Sequence, residues 1–238
     1  NASCDNVIKP PPHPTNVNSS ISMPSPTMPA APPHLSILAV VVTYNPEQDV
    51  LQRQIEAFAL QGVPSLLVDN KSRMDVAQWS ASLPSPAHHV ITLADNMGIA
   101  HAHNTGIAWA KVHGFRYVML MDQDSIPGED MASKLLERAE AHQAAGHKVA
   151  AVGPRYHDAR QNNPPPFLTI RGLKLHRYTC EEGTPDVPVD YLISSGSLIP
   201  IDTLDVTGGM REDLFIDYVD IEWGLRARHH GFQSYGVC

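Results

Sequence analysis

The chain has 238 residues, 18% of them charged, and a formal net charge of −8. That length suits one sizeable α/β domain, with one or two domains as the prior, and the acidic balance gives no case for a nucleic-acid partner, which would want a basic face. No apolar stretch approaches the roughly 20 residues that cross a bilayer; the longest uninterrupted one, Ile37 to Val42, is strand-sized, so only a peripheral membrane association stays open.

Residues 1–34 are a different material from the rest. Pro10-Pro11-Pro12, Pro14, Pro24, Pro26, Pro29 and Pro32-Pro33 stand among Asn and Ser with almost no bulky apolar side chains. Such a segment cannot bury enough surface to offset its ordering entropy, so a flexible tail is expected. It lacks the basic start and apolar core of a secretory signal.

From Leu35 the pattern alternates strands with helices. Leu35–Thr43 is almost wholly apolar, as a strand buried on both faces should be. Glu47–Gln61 carries Val50, Leu51, Ile55, Phe58 and Ala59 at helical spacing, with Pro46 near its start and Gly62 past its end. Ser65–Val68 predicts a second strand and Asp75–Ser82 a weak helix. Val90–Leu93 predicts a third strand and Ile99–His113 a helix closed by Gly114. Tyr117–Met121 predicts a fourth strand, Glu129–Ala145 a helix closed by Gly146, and Val149–Gly153 a fifth strand. This β-α repetition predicts a mainly parallel sheet sandwiched by helices. Residues 155–188, with Asn162-Asn163-Pro164-Pro165-Pro166, predict a long irregular loop. Val189–Pro200 predicts another strand and Asp213–Ala227 a segment running into a helix. The chain stops at Phe232–Cys238 in a strand-like run, so the domain at 35–238 is expected to lack a C-terminal piece.

Three scattered cysteines, Cys4, Cys180 and Cys238, suggest a reducing compartment rather than a disulfide framework. Of the 13 histidines, His101/His103 and His229/His230 fall on predicted helix ends and His88/His89 before a strand. No pair has zinc-site spacing with cysteines, so solvated or capping roles are expected for most.

The chemistry concentrates at strand ends. Four consecutive strands end in polar clusters: Thr43-Tyr44-Asn45, Asp69-Asn70, Asp95-Asn96 and Asp122-Gln123-Asp124. Turn chemistry could explain each singly. In an open parallel sheet, however, ligands bind beyond the carboxyl ends of the strands, and four such clusters there describe one polar groove. Neither a P-loop nor a strand-linked G-x-G-x-x-G is present. Asp122 and Asp124 stand i, i+2 and point the same way in extended backbone. Two hard oxygen donors so placed can share Mg²⁺ or Mn²⁺, with phosphate oxygens completing the shell. A second acidic run, Leu214 to Arg226, interleaves Asp217, Asp220 and Glu222 with Phe215, Tyr218 and Trp223. Acids there complement a helix dipole, or one of them, half-buried, serves as a general base. Trp223 fits either core or a ligand-stacking surface, and Arg226 and Arg228 either solvent or ligand phosphates.

Val40 to Asn45, Val68-Asp69-Asn70-Lys71-Ser72, Asn96-Met97-Gly98-Ile99-Ala100 with Asn104-Thr105-Gly106, Asp122-Gln123-Asp124, Ser195-Gly196-Ser197 and Phe215 to Arg226 together resemble the family 2 inverting glycosyltransferases of GT-A fold. The phrase Leu-Phe-Ile-Asp-Tyr-Val-Asp-Ile-Glu-Trp after Gly208-Gly209-Met210 points, within that family, to bacterial rhamnosyltransferases and their galactofuranosyl relatives.

The resemblance implies a GT-A catalytic domain over 35–238 and a role for each matching residue. Thr43 and Asn45 would line the nucleoside pocket, Asp69 would hold base or ribose with Asn70 beside it, and Asn96 and Gly98 would shape the wall near the diphosphate. Asp122 would lie near ribose or sugar and share with Asp124 the Mg²⁺ or Mn²⁺ that bridges the diphosphate. The family's Glu-Asp pair is here Val219-Asp220, so Asp220 matches the base, with Asp217 and Glu222 as neighbours. The implied activity is metal-dependent, inverting transfer of a sugar, rhamnose from dTDP-rhamnose, to a surface-polysaccharide or lipid-linked glycan, in the cytoplasm or at the inner face of the plasma membrane. Two readings compete: a UDP-sugar donor such as UDP-galactofuranose, and a non-catalytic module that binds glycan or nucleotide-sugar. A nucleotidyltransferase would show a Gly-rich basic loop after the first strand, which Thr43-Tyr44-Asn45-Pro46 is not.

Overall fold

The computed structural model describes residues 36–156, 166–171, 174–180 and 183–238; the expected tail at 1–34 and the Asn162–Pro165 part of the proline-rich run lie outside them. Strand β1 (Ile37–Thr43) is buried at every position, which only a central strand covered on both faces can be. It pairs in parallel with β2 (Ser65–Asp69) and β4 (Tyr117–Asp122), and β3 (His89–Thr92) adds in parallel to β2. The full order is β3-β2-β1-β4-β9-β5-β10-β8, with β5 at Val149–Pro154, β8 at Asp186–Val189, β9 at Ser197–Pro200 and β10 at Gln233–Val237. Strands β8 and β9 run antiparallel to their neighbours. The sheet is mainly parallel, as the sequence predicts.

Two apolar layers cover it. On one face α1 (Gln48–Leu60), α2 (Val76–Ala81) and α4 (Met131–Ala144) pack Leu51, Ile55, Phe58, Val76, Leu135 and Ala139 against Ile37, Ala39, Val41, Leu67 and Met119. On the other, α3 (Gly98–Val112), α5 (Ile201–Thr207) and α6 (Val219–His229) cover Leu38, Val40, Val68, Val118 and Leu120. The closest approach is at Gly106 of α3, where a Cβ would stand 2.2 Å from Val40 Cγ1. Only glycine lets the helix lie so near β1.

Three expectations are corrected. The loop at 155–188 contains a two-stranded antiparallel sheet, β6 (Phe167–Arg171) with β7 (Lys174–Tyr178), and then β8. The single strand at Val189–Pro200 is instead the end of β8, a turn through Ser194-Ser195-Gly196, and β9; Gly196, with φ of 89°, reverses the chain where a branched residue could not. Cys180 and Cys238 form a disulfide, with Cα atoms 5.5 Å apart. Pairing of β8 with β10, extended by the bond from Cys238 N to Pro185 O at 3.0 Å, brings these distant positions together, and removes the ground for reading a reducing compartment from the cysteines. Helix α5 was not expected at all. At the carboxyl end, β10 is a full strand paired on both sides.

His103 departs from the solvated role expected of most histidines. It is 0% exposed within α3 and neither ring nitrogen has a hydrogen-bond partner among the described residues. Burial holds its pKa down to about 4, against an ordinary 6.5. The unfolded chain therefore takes up a proton as pH falls below 6.5 while the folded one does not, and stability is lost between about pH 6.5 and 4. His103→Leu should flatten that slope, gaining about 2 kcal/mol relative to wild type at about pH 5 compared with about pH 8 in thermal or urea denaturation. Gly106→Ala should cost about 1–3 kcal/mol at any pH, because overpacking against Val40 has no proton linkage.

Candidate active site

The four polar clusters lie side by side, because β3, β2, β1 and β4 are neighbours in that order and all point the same way. The buried Asp69 carboxylate joins the ends of β1 and β2. It accepts from Thr43 Oγ1 at 2.9 Å, Ser72 N at 3.0 Å and Ser72 Oγ at 2.5 Å. Asn70, also buried, accepts from Met97 N at 3.2 Å and donates to Gly98 O at 3.3 Å, fixing the entry to α3. Asn96 Oδ1 receives Gly98 N at 3.1 Å. Asn45 sits at the surface with φ of 49°, its Oδ1 accepting from Arg73 N at 2.9 Å. Thr43, Asp69 and Asn70 thus build the floor of the groove beneath any ligand, whereas Asn45 and Asn96 lie on its rim.

The first turn of α3 is closed by the acidic run that follows α5. Phe215 O accepts from Ile99 N at 2.8 Å and Ala100 N at 3.3 Å. Gly98, φ +84°, is pressed so closely on this carbonyl that a Cβ would stand 2.6 Å from it. A second clamp ties the same segment to α3: Glu212 accepts from Asn104 Nδ2 and contacts His101 Nδ1, both at 2.8 Å. Asn104 also bonds both backbone groups of Met210.

Asp122 ends β4 and Asp124 projects beyond it. The backbone under them is held by Gln54, which sequence reading did not single out, and by Gln123 and Ser195 of the motifs quoted above. Buried Gln54 of α1 donates to Asp122 O at 2.7 Å and Ser125 O at 2.5 Å, Ser195 Oγ accepts from Asp122 N at 3.3 Å, and Gln123 pairs with both backbone groups of Tyr44. Gln54 carried a readable signal: it is a polar residue at i+3 from Leu51 and i−4 from Phe58, on the apolar stripe of its helix.

The acids of α6 separate cleanly. Glu222 is locked to Arg226 by two bonds of 2.8 Å, and Arg226 also donates to the carbonyls of Thr207 and Gly209. Arg228 pairs with Asp190 at 2.8 Å, so neither arginine is a bare solvent group. Trp223 is core, its Nε1 donating to Gly208 O at 3.0 Å. Asp217 is exposed on the turn before the helix. Asp220 is half-buried in the first turn and comes to the end of β4. Burial, then the charges of Asp124 and Asp220, push the Asp122 carboxyl up to about 6 from 3.8. Asp220 likewise raises Tyr191, after burial. The three aspartates form one electrostatic unit drawn from the middle of the chain and from near its carboxyl end. Two carboxylates on Asp122 and Asp124, without an ion-pair partner among the described residues, fit a divalent ion chemically, since hard oxygen donors and repelling charges are what such an ion relieves.

Residues 38–188, more than half of the chain, match the family model described as Glycosyl transferase family 2. The chain belongs to glycosyl transferase family 2. Among curated proteins it is 33% identical over 198 residues to dTDP-rhamnosyl transferase RfbF of Shigella flexneri, covering 82% of this chain and 64% of that protein. It is 33% identical over 114 residues to the succinoglycan biosynthesis protein ExoO of Rhizobium meliloti (strain 1021), covering 47% and 31% respectively. The chain therefore spans less than two thirds of the length of either relative. Among solved structures, S. aureus TarS 1-349 superposes with a TM-score of 0.58 at 15% identity, covering 84% of this chain and 60% of that one, which supports the GT-A-type fold.

In this family 2 domain the cost of gathering three aspartates is measurable. Asp122 binds its proton more tightly folded than unfolded, so the folded state loses stability as pH rises from about 3.8 through 6. Asp122→Asn in metal-free buffer should raise stability by about 2 kcal/mol at about pH 8, and the gain should vanish near pH 4. Thermal denaturation in a chelator reads it directly.

Proposed function

We propose that this domain transfers a deoxyhexose, rhamnose from dTDP-rhamnose, with inversion to a hydroxyl of a surface-polysaccharide or lipid-linked glycan. The observation that carries the reading is the convergence of Asp220 on Asp122 and Asp124, whose charges add to burial in raising the Asp122 carboxyl. The rhamnosyl donor is supported by the likeness to the Shigella protein, and by the Leu214 to Trp223 phrase.

Inverting transfer needs one base on the acceptor side and charge stabilisation on the leaving-group side. Asp220 is the base of choice, since Glu222 is committed to Arg226 and Asp217 stands in solvent. Its carboxylate takes the acceptor hydroxyl proton as that oxygen attacks the anomeric carbon and the bond to the diphosphate oxygen breaks. Asp124, with Asp122, would hold Mg²⁺ or Mn²⁺, which when bound stabilises the charge developing on the departing nucleoside diphosphate. Asn45 and Asn96 orient the nucleoside at the rim, over the floor of Thr43, Asp69 and Asn70. No covalent intermediate is formed, so no second nucleophilic carboxylate is required.

Titration calorimetry with a nucleotide-sugar panel, with and without Mn²⁺, tests the donor and the ion together. Metal-dependent binding of dTDP-rhamnose over UDP-sugars is expected. Asp124→Asn should abolish the metal dependence, and Asp220→Asn should keep donor binding while lowering transfer by about 10²–10⁴-fold. Preference for a UDP-sugar would discard the rhamnosyl donor. Donor binding with transfer insensitive to Asp220 would discard the base, and absence of any donor binding would favour the non-catalytic module.

A further inference from the structure

A cleft of about 1180 Å³ opens beside the carboxylates. Asp122, Asp124 and Ser195 line one end; Lys134 and Arg138 of α4 and Arg155, just past β5, bring positive charge to it. Two of these cations are already committed, Lys134 to Asp130 and Arg138 to Asp186, each at 2.8 Å. Arg155 has no carboxylate partner among the described residues. It is half-buried.

The strand register fixes where Arg155 stands. Strand β9 runs antiparallel between β4 and β5, with Leu120 opposite Ser197 and Val152 opposite Leu198. Extending both registers sets Asp122 beside Ser195 on one side and Pro154 beside Gly196 on the other. Gly196 is packed against the Pro154 ring, where a Cβ would come within 2.8 Å, and Arg155 N is bonded to Val237 O at 3.1 Å. The arginine backbone is held two strands from Asp122, roughly 10 Å away at about 4.8 Å per strand step. A guanidinium on its three-carbon stem can cover most of that gap, and a diphosphate can bridge the remainder.

An anion here cannot turn to the helix beside the groove. The first-turn amides of α3 that would receive it are occupied: Met97 N by Asn70, Gly98 N by Asn96, and Ile99 N and Ala100 N by Phe215 O. A chain of net charge −8 whose site already gathers three aspartates has to meet a diphosphate with a cation.

We propose that Arg155 binds diphosphate oxygens in the cleft that opens beside Asp122 and Asp124, as a substrate-binding residue distinct from the carboxylates. This deepens the transferase reading and rests on it for the identity of the substrate. The shared chemistry is a diphosphate ester, carried by the nucleotide-sugar donor or by a glycan-diphosphate acceptor.

The test compares wild type, Arg155→Ala and Arg155→Lys with three probes: inorganic pyrophosphate and dTDP-rhamnose by calorimetry in Mn²⁺, and a glycan-diphosphate acceptor by steady-state kinetics. Loss of a charge-assisted, bidentate phosphate contact should weaken its ligand about tenfold, with lysine restoring part of it. If the donor is the source, Arg155→Ala weakens dTDP-rhamnose and pyrophosphate while thymidine binding is unchanged. If the acceptor is the source, donor affinity is unchanged and the acceptor KM rises about tenfold with little change in kcat. Unchanged pyrophosphate affinity, donor affinity and acceptor KM in Arg155→Ala overturn the proposal and leave the transferase reading standing. Arg155-dependent pyrophosphate binding in a protein that binds no nucleotide-sugar would do the reverse.

Discussion

A strand buried on both faces can be polar only where it leaves the sheet, and β1 imposes that constraint on everything around it. All seven of its residues are buried, and its parallel neighbours β2 and β4 run in the same sense. Each chain segment therefore re-enters water at one common edge, and each does so through Asp, Asn or Thr. The groove is the sum of these exits. Its two floor residues with the strongest hydrogen-bonding demands, Asp69 and Asn70, are satisfied by the turns themselves, which is why they can be buried at all.

The second half of the chain solves a different problem. Parallel pairing stops at β4, and β9 is inserted antiparallel between β4 and β5. That inversion brings the turn at Ser194-Ser195-Gly196 to the ligand edge rather than away from it, where Ser195 supports Asp122. Asp220 arrives from still further along the chain on α6. Burial of Asp122 first, and then the neighbouring charges of Asp124 and Asp220, raise its carboxyl, as functional sites commonly show.

The alternation from Leu35 to Gly153 was legible because the strands are continuous apolar runs and three of the helices, α1, α3 and α4, have a Gly stop, and element ends shifted by no more than a residue or two. The four strand-end clusters were legible for the same reason. Between Pro154 and the segment leading to α6 the signal failed for physical causes, whereas α6 and β10 were legible. Strands β6 and β7 form a small two-stranded sheet with little continuous apolar character, so periodicity does not mark them. The Val189–Pro200 run looked like one strand because a glycine turn embedded in apolar residues has no charged punctuation. The Cys180–Cys238 bond depends on β8 pairing with β10, a long-range fact. Among site residues, Asp122, Asp124 and Asp220 were visible as acids in apolar context. The separation of Asp220 from Glu222 was not, because it depends on Arg226 reaching back one helical turn and across to Thr207 and Gly209.

The carbonyl of Phe215 on the first turn of α3 has a mechanical consequence. Together with Glu212 on His101 and Asn104, it welds the segment leading to Asp220 onto the first turns of α3. The two are held as one piece, since sliding one against the other would expose helix amides and break the contact of Gly98 with Phe215.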